Sequence, residues 1–159
     1  MKKHPHYSTK EMQRIANLYM ESGEPWPASA RQIAMWAINN GLWKPKPASL
    51  IEQCAELLSQ AMRQEYYTDP QGRTVRTKHA VRFKQNGDQI FLWADIRTAD
   101  RAHMEVAFQQ RRQQIVGDCH QLKMDVDSYN ENANSGVQIA LVFNFTRDLE
   151  EVEALAAVS

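Results

Sequence analysis

Five basic side chains fall within twelve residues of this 159-residue sequence, in the segment "DPQGRTVRTKHAVRFKQNGDQIFLWAD" at residues 69–95. They are Arg73, Arg76, Lys78, Arg82 and Lys84. Guanidinium and ammonium groups at this density can neutralise phosphates, and this electrostatic attraction dominates the affinity of proteins for nucleic acids. Phe91 and Trp93 follow in the same segment, and such rings can stack on bases or on an arginine. The segment therefore predicts a nucleic-acid-binding surface.

A β-hairpin is the element that would place these side chains together. Asn86-Gly87 is a strong signal for a two-residue hairpin turn, which pairs Gln85 with Asp88 and fixes the register. Because side chains alternate between the two faces of a strand, the segment separates into two sets. The predicted core face holds Val75, His79, Val81, Phe83, Ile90, Leu92, Ala94 and Ile96, and the opposite face holds Arg76, Lys78, Ala80, Arg82, Lys84, Gln89, Phe91 and Trp93. The alternative is a basic face that is only solvated, with its aromatic rings covered by another element.

Three amphipathic helices are predicted before this hairpin. A capping box at Ser8 starts the first helix, which ends near Gly23; Ser29 caps a second over residues 30–40, and Ser49 begins a third that ends near residue 64. The third helix turns Gln53, Gln60, Arg63 and Gln64 outward, and Lys44 and Lys46 precede it at positions suited to phosphate contacts. Glutamine and arginine can read base edges, although a glutamine-rich face is also typical of any solvated helix.

Three helices followed by a hairpin is the element order of a winged-helix domain, whose third helix enters the DNA major groove. The stretch "ARQIAMWAINNGLWKPKPASLIEQCAELLSQAMRQE" followed by "DPQGRTVR" resembles the HARE helix-turn-helix family, a winged-helix domain of restriction enzymes, chromatin regulators and an RNA polymerase subunit. The shared features are a helix end of the form "IAxxAxxxGLW", a lysine–proline linker and a helix leading to a hairpin. The resemblance covers residues 10–95 and none of residues 98–159. It implies DNA-associated regulation.

The chain after residue 97 is predicted to be a long helix with a small appendage. Thr98 can cap a helix over residues 99–131, and a strand over residues 138–145 and a short helix over residues 149–157 follow. Apolar residues at heptad spacing form about three repeats on the long helix. This seam, which Arg112 interrupts, consists of Phe108, Ile115, Cys119, Leu122, Val126 and Tyr129. It predicts a homodimer through the long helix.

These elements predict an α+β fold, with a winged-helix-like domain over residues 1–97 and the long helix, strand and short helix over residues 98–159. The formal net charge is zero, but residues 1–90 hold thirteen basic and eight acidic residues, a balance of +5, and residues 91–159 hold six and eleven, a balance of −5. Such halves either perform separate tasks or attract each other.

Enzyme and metal sites find little support in the sequence. None of the five histidines has a partner at metal-ligand spacing, and His79 falls on the predicted core face. "DVDSYNENANSG" begins like a calcium loop, but Gly136 stands where the bidentate glutamate is needed. There is no phosphate loop, dinucleotide fingerprint or nucleophile elbow. The sequence therefore predicts neither an enzyme nor a cofactor, although an unrecognised site assembled from scattered residues stays open.

The cysteines and the hydropathy of the sequence indicate in which cellular compartment the protein is found. Cys54 and Cys119 are expected to be buried free thiols, as in a reducing cytoplasm. No apolar run approaches the roughly 20 residues that span a bilayer, and the start does not resemble a signal peptide. We expect a cytoplasmic protein without a membrane partner.

Two functions fit this sequence. The first is a DNA-binding regulatory or mobile-element accessory protein that uses a winged helix with a basic hairpin. The second is a non-enzymatic protein-interaction module that keeps the winged-helix fold and does not bind DNA. Salt-dependent binding of duplex DNA distinguishes them.

Overall fold

The computed structural model describes residues 7–45 and 50–159. One compact unit ends at Gln64, and a second begins at Glu65. The helices of the described residues are α1 (Thr9–Glu21), α2 (Ala30–Asn39), α3 (Leu50–Arg63), α4 (Arg101–Asn132) and α5 (Thr146–Val158). The strands are β1 (Tyr66–Thr68), β2 (Thr74–Arg76), β3 (Lys78–Gln85) and β4 (Asp88–Asp95). The predicted α+β class is confirmed.

Side-chain caps start the first two helices as predicted. The Ser8 hydroxyl accepts a hydrogen bond from the Glu11 backbone amide at 3.2 Å, and the Ser8 amide donates to the Glu11 carboxylate at 2.6 Å. Ser29 and Gln32 make the same reciprocal pair at the start of α2. These bonds satisfy amides that the first helical turn leaves without partners. The predicted cap of α3, Ser49, lies outside the described residues.

Helices α1 and α2 pack together through a small core. Ile15 and Tyr19 of α1 and Ala37 of α2 are buried. The ring of Tyr19 meets that of Trp36 edge to face at 5.5 Å, and its hydroxyl donates to the carbonyl of Pro25 at 3.1 Å. This arrangement gives the phenol both an aromatic contact and a hydrogen-bond partner, which a buried tyrosine needs.

Helix α3 buries none of its residues. Leu50 is 83% exposed and Leu57 67% exposed, so the apolar face of this helix is open. Packing of three helices around one core, as in a winged helix, therefore stays a prediction.

The prediction that both cysteine thiols are buried is wrong. Cys54 is exposed on α3, and Cys119 is half-buried on α4.

The sequence did not predict the first hairpin of the second unit. Strands β1 and β2 pair antiparallel around the turn at Asp69, with Tyr66 opposite Arg76. The buried Thr77 then separates β2 from β3: its amide donates to the carbonyl of Glu65, and its carbonyl accepts from the amide of Ile96. Val75 and Arg76 were predicted to lie in the same hairpin as Arg82. Instead, they belong to the first hairpin.

The register of the second hairpin is confirmed. Gln85 pairs with Asp88, Arg82 with Phe91, and the ladder continues to Lys78 opposite Asp95. Asn86 has φ of 51° and Gly87 has φ of 82°, the two positive values that a type I′ turn requires. The turn type therefore fixes which side chains share the face with Arg82.

We predict that Gly87→Val lowers the free energy of unfolding by about 1–3 kcal/mol, since a β-branched residue is strained at positive φ. A Cβ at this position would meet no other atom within 4 Å, so the cost comes from the backbone alone. Thermal and urea unfolding measure the effect. Gly87→Asn is the control with a smaller expected loss, because asparagine tolerates the left-handed region. Equal stability of the valine variant and the wild type would contradict this account of the turn.

The long helix α4 begins two residues later than predicted, after Asp100 rather than Thr98. Through Gln110, α4 bonds to the edge of β3 that does not pair with β4. The Gln110 carboxamide accepts from the amide of Arg82 at 2.8 Å and donates to the carbonyl of Arg82 at 2.7 Å. One side chain thereby takes the place of a neighbouring strand at this position.

The strand predicted over residues 138–145 is wrong, because this segment has no strand partner among the described residues. It is held against α4 by Asn130, whose carboxamide donates to the carbonyl of Ile139 at 2.8 Å and accepts from its amide at 3.0 Å. Asn134 supports Asn130 by donating to its side-chain oxygen at 2.9 Å. The helix α5 that follows begins at Thr146, three residues earlier than predicted, and buries none of its residues.

Candidate nucleic-acid interface

The five cations of the basic segment differ in their surroundings. Arg73 pairs with Asp69 at 2.7 Å, and Lys78 pairs with Glu65. Arg82 and Lys84 are exposed on β3 and form no ion pair within the described parts of the chain. Arg76, on β2, is half-buried. The two cations near the hairpin tip are therefore the ones that a phosphate could reach without displacing a carboxylate.

The aromatic residues of the same face are also unequal. Phe91 lies opposite Arg82 in the ladder and is 46% exposed, so its ring is open on the same face of the hairpin as Arg82. Trp93 lies opposite Ala80 and is half-buried. The structure thus brings Arg82, Lys84 and Phe91 together at the exposed end of the hairpin.

The predicted core face of this hairpin is buried only at its base. His79 is buried, and its ring meets that of Phe108 on α4 edge to face at 5.3 Å. Toward the tip, Phe83 is 36% exposed and Leu92 is 54% exposed. The prediction that the whole face is buried is wrong, because α4 covers only the end of the hairpin nearest His79.

Two histidines join the base of the hairpin to α4. The His79 ring donates to the carbonyl of Arg76 at 2.9 Å, and His103 of α4 donates to the carbonyl of His79 at 2.9 Å. Burial lowers the pKa of His79 below its ordinary value; the hydrogen bond to Arg76 opposes this shift, and the charge of Arg111 adds to it. His79 is therefore a structural histidine that is more stable without a charge.

We expect the stability of the hairpin base to decrease as the pH falls below about 6.5, the ordinary histidine pKa. Unfolded His79 takes up a proton in this range, whereas folded His79 resists protonation, so acid favours the unfolded state. Thermal melts between pH 7 and pH 5 measure the slope, which His79→Gln should reduce. His120→Gln, a change to an exposed histidine on α4, should keep the wild-type slope. Identical slopes for wild type and His79→Gln would contradict the assignment.

A second charged cluster stabilises the start of the loop after β4. Asp95 binds Arg97 through both carboxylate oxygens, at 3.0 and 2.7 Å, and the Arg97 guanidinium lies 4.8 Å from the ring centre of Tyr67. The hydrogen bonds from Arg97 hold the pKa of the Asp95 carboxyl well below its usual range. Sequence reasoning missed this cluster, because Tyr67 lies in the unpredicted strand β1.

The remaining predicted nucleic-acid residues lie in the first unit. The backbone amide of Lys44 donates to the hydroxyl of Tyr7 at 2.9 Å, which leaves the lysine side chain out of that contact. Gln53, Gln60 and Arg63 are all exposed on α3. Lys46 lies outside the described residues. Because these residues belong to the unit that ends at Gln64, their part in one interface with the hairpin stays a prediction.

The predicted dimerisation residues all lie on α4 and are largely open. Phe108, Ile115, Leu122 and Tyr129 have exposed side chains, and Cys119 and Val126 are half-buried. Leaving large apolar side chains in water forfeits about 1.5–3 kcal/mol for each one that could be buried. The seam is therefore a surface that a partner could cover.

In the described parts of the chain, no three His, Cys, Asp or Glu side chains gather where they could hold a metal ion. None of the helices described is long and apolar enough to cross a membrane. No protein-family model matches the chain, and neither a curated protein nor a solved structure does. The similarity to HARE domains therefore stays a prediction from the quoted residues.

Proposed function

We propose that this protein binds double-stranded DNA through the tip of the β3–β4 hairpin, as a non-enzymatic DNA-binding regulatory or mobile-element accessory protein. The observation that carries the proposal is the exposure of Arg82 and Lys84 beside the open ring of Phe91. Neither cation is engaged by a carboxylate in the described residues, so both can release counterions from DNA on binding. Free thiols at Cys54 and Cys119 favour the cytoplasm as its place of action.

Phosphate contacts alone give affinity without sequence preference. Within a winged helix, the hairpin touches the DNA backbone or the minor groove, and the third helix supplies the base contacts. Gln53, Gln60 and Arg63 of α3 are the side chains proposed for that role, with Lys44 and Lys46 as phosphate contacts ahead of the helix.

We further propose that the protein acts as a homodimer through α4. Ile115 is 52% exposed and Leu122 47% exposed, and a second copy of the helix can cover both. A two-fold dimer presents two identical hairpins, which would engage two DNA half-sites.

The alternative is a protein-interaction module with the same fold that does not bind DNA. Leu92, on the other face of the hairpin, is 54% exposed, and exposed apolar surface of this kind is typical of a protein-docking site. The acidic helix α5 could then be a second part of the docking surface.

Fluorescence anisotropy with labelled duplex DNA at several salt concentrations tests the proposal. We expect binding at micromolar protein that weakens linearly on a logarithmic plot as salt increases. A single-stranded oligonucleotide of equal length shows whether the duplex itself is recognised. Absence of salt-dependent binding to any duplex would refute DNA binding and favour the protein-interaction module.

A further inference from the structure

Charge is distributed unevenly along α4. Residues 101–116 carry three arginines and one glutamate, a balance of +2, and residues 117–132 carry one lysine and four carboxylates, a balance of −3. Two copies packed in parallel would place like charges side by side along the whole helix. Two antiparallel copies would place the basic half of each against the acidic half of the other. Opposite charges across an interface favour the second orientation.

The apolar seam has a symmetry that fits the same orientation. Phe108 and Tyr129 lie equally far from the point between Asp118 and Cys119, and so do Ile115 and Leu122. A two-fold interface requires that each contact occur twice with the residues exchanged. With the axis at this point, each Ile115 meets Leu122 of the partner subunit, and each Phe108 meets Tyr129 of the partner subunit.

The parts of the chain that pack on α4 leave this seam open in the middle. The hairpin contacts α4 in its basic half, through His103 and Gln110 and through the ring of Phe108 at the end of the seam. The segment after α4 contacts its acidic half through Asn130. At about 100° per residue, Asn130 lies on one flank of the seam, and Gln110 lies on the face of α4 opposite the seam. The centre of the seam, at Ile115 and Leu122, is therefore exposed and open to an antiparallel partner.

We propose that a second copy of this chain packs on α4 in the antiparallel orientation, with the two-fold axis near Asp118 and Cys119. This inference rests on the proposed homodimer and adds its geometry. Arg111 lies on the same flank of the seam as Asp125, so each Arg111 faces Asp125 of the partner subunit. Arg111 has no ion pair in the described parts of its own chain, which leaves it available for this contact.

Disulfide cross-linking between single-cysteine variants distinguishes the two orientations. Ile115→Cys and Leu122→Cys are each made in the full chain with Cys54→Ser and Cys119→Ser, and one of the two carries an added affinity tag. In the antiparallel dimer, equivalent positions 115 are offset by about 10 Å along the axis. This offset exceeds the separation of about 7 Å between Cα atoms that a disulfide tolerates. We expect the mixture of the two variants to form a mixed disulfide dimer on oxidation, and each variant alone to remain uncross-linked.

Cross-linking of each variant with itself would overturn the antiparallel orientation, because two copies of position 115, or of position 122, meet only in a parallel pair. Absence of any cross-link would overturn the proposal as well. Met124→Cys, in the same background, is the control. Met124 is 43% exposed on the face of α4 opposite the seam and should not cross-link in any mixture. Binding of the same proteins to duplex DNA is measured separately. Failure of the antiparallel dimer is therefore distinguishable from failure of the proposed DNA binding.

Charge reversal provides a second test without cysteines. Arg111→Glu and Asp125→Arg should each weaken dimerisation, and the double variant should recover at least part of it, since it restores opposite charges across the interface. Glu131→Arg, on the opposite face of α4, is the matched control and should leave dimerisation unchanged. Sedimentation equilibrium measures the dissociation constants. If both single variants dimerise more weakly and the double variant dimerises no better than they do, Arg111 does not face Asp125 of the partner subunit.

Discussion

Replacement of Arg76, Arg82 and Lys84 together by glutamine should weaken duplex DNA binding and reduce the slope of its salt dependence by about 2–3 units, since each lost phosphate contact removes about 0.9. Arg82 and Lys84 should account for most of the effect, because they are exposed and Arg76 is half-buried. The same anisotropy titration, repeated at four or more salt concentrations, gives both the affinity and the slope.

The matched control removes the same total charge from the first unit, at residues outside the predicted site. Lys10, Arg14 and Arg31 are exposed on α1 and α2, and their triple change to glutamine should leave the slope close to that of the wild type. The control variant should melt near the wild-type temperature, because exposed substitutions usually change stability by less than about 0.5 kcal/mol. The same holds for the changes at Arg82 and Lys84, so any lower melting temperature of the hairpin variant is expected to come from the half-buried Arg76. If both lower the slope equally, the hairpin has no special role in DNA binding.

Replacement of Leu122 and Val126 by aspartate should dissociate the proposed dimer. Each change puts a carboxylate into the apolar seam, where burial of an unpaired charge would cost several kcal/mol. Multi-angle light scattering at tens of micromolar, roughly the range in which weak association is observed, should report a dimer for the wild type and a monomer for the variant.

The control for this variant is Val106→Asp with Met124→Asp. Both residues are exposed, at 40% and 43%, on the face of α4 away from the seam, so the dimer should persist. A monomeric wild type at the same concentration would show that the seam does not form a homodimer. A seam variant that remains dimeric would place the interface elsewhere.

The parts of the fold that follow from short-range signals could be predicted from the sequence. The Asn86-Gly87 turn determines the whole β3–β4 register, because a two-residue loop leaves one way to pair the flanking strands. The boxes at Ser8 and Ser29 determine where α1 and α2 begin, because the capping bonds span only three residues.

The parts that depend on distant partners could not be predicted. Alternating apolar residues over 138–145 indicate a strand, but a strand also needs a neighbouring strand to pair with. In the described chain, the backbone amide and carbonyl of Ile139 instead bond to the side chain of Asn130. β1 has only three residues, too few for a visible alternation. In the candidate site, the basic row was evident from the sequence, but the pairing of Lys78 with Glu65 depends on how the first hairpin folds.

The carboxamide of Gln110 also makes the two edges of the β3–β4 sheet unequal as sites for an added strand. An edge strand normally offers free amides and carbonyls to any other strand, which makes it a site of aggregation. At Arg82, both backbone groups are already bonded to Gln110, so an incoming strand finds neither a donor nor an acceptor there. β4 has no second strand partner in the described residues, and it carries the exposed Phe91 and Leu92. A third strand, whether from a physiological ligand or from a misfolded neighbour, therefore finds β4 the more accessible edge of the sheet.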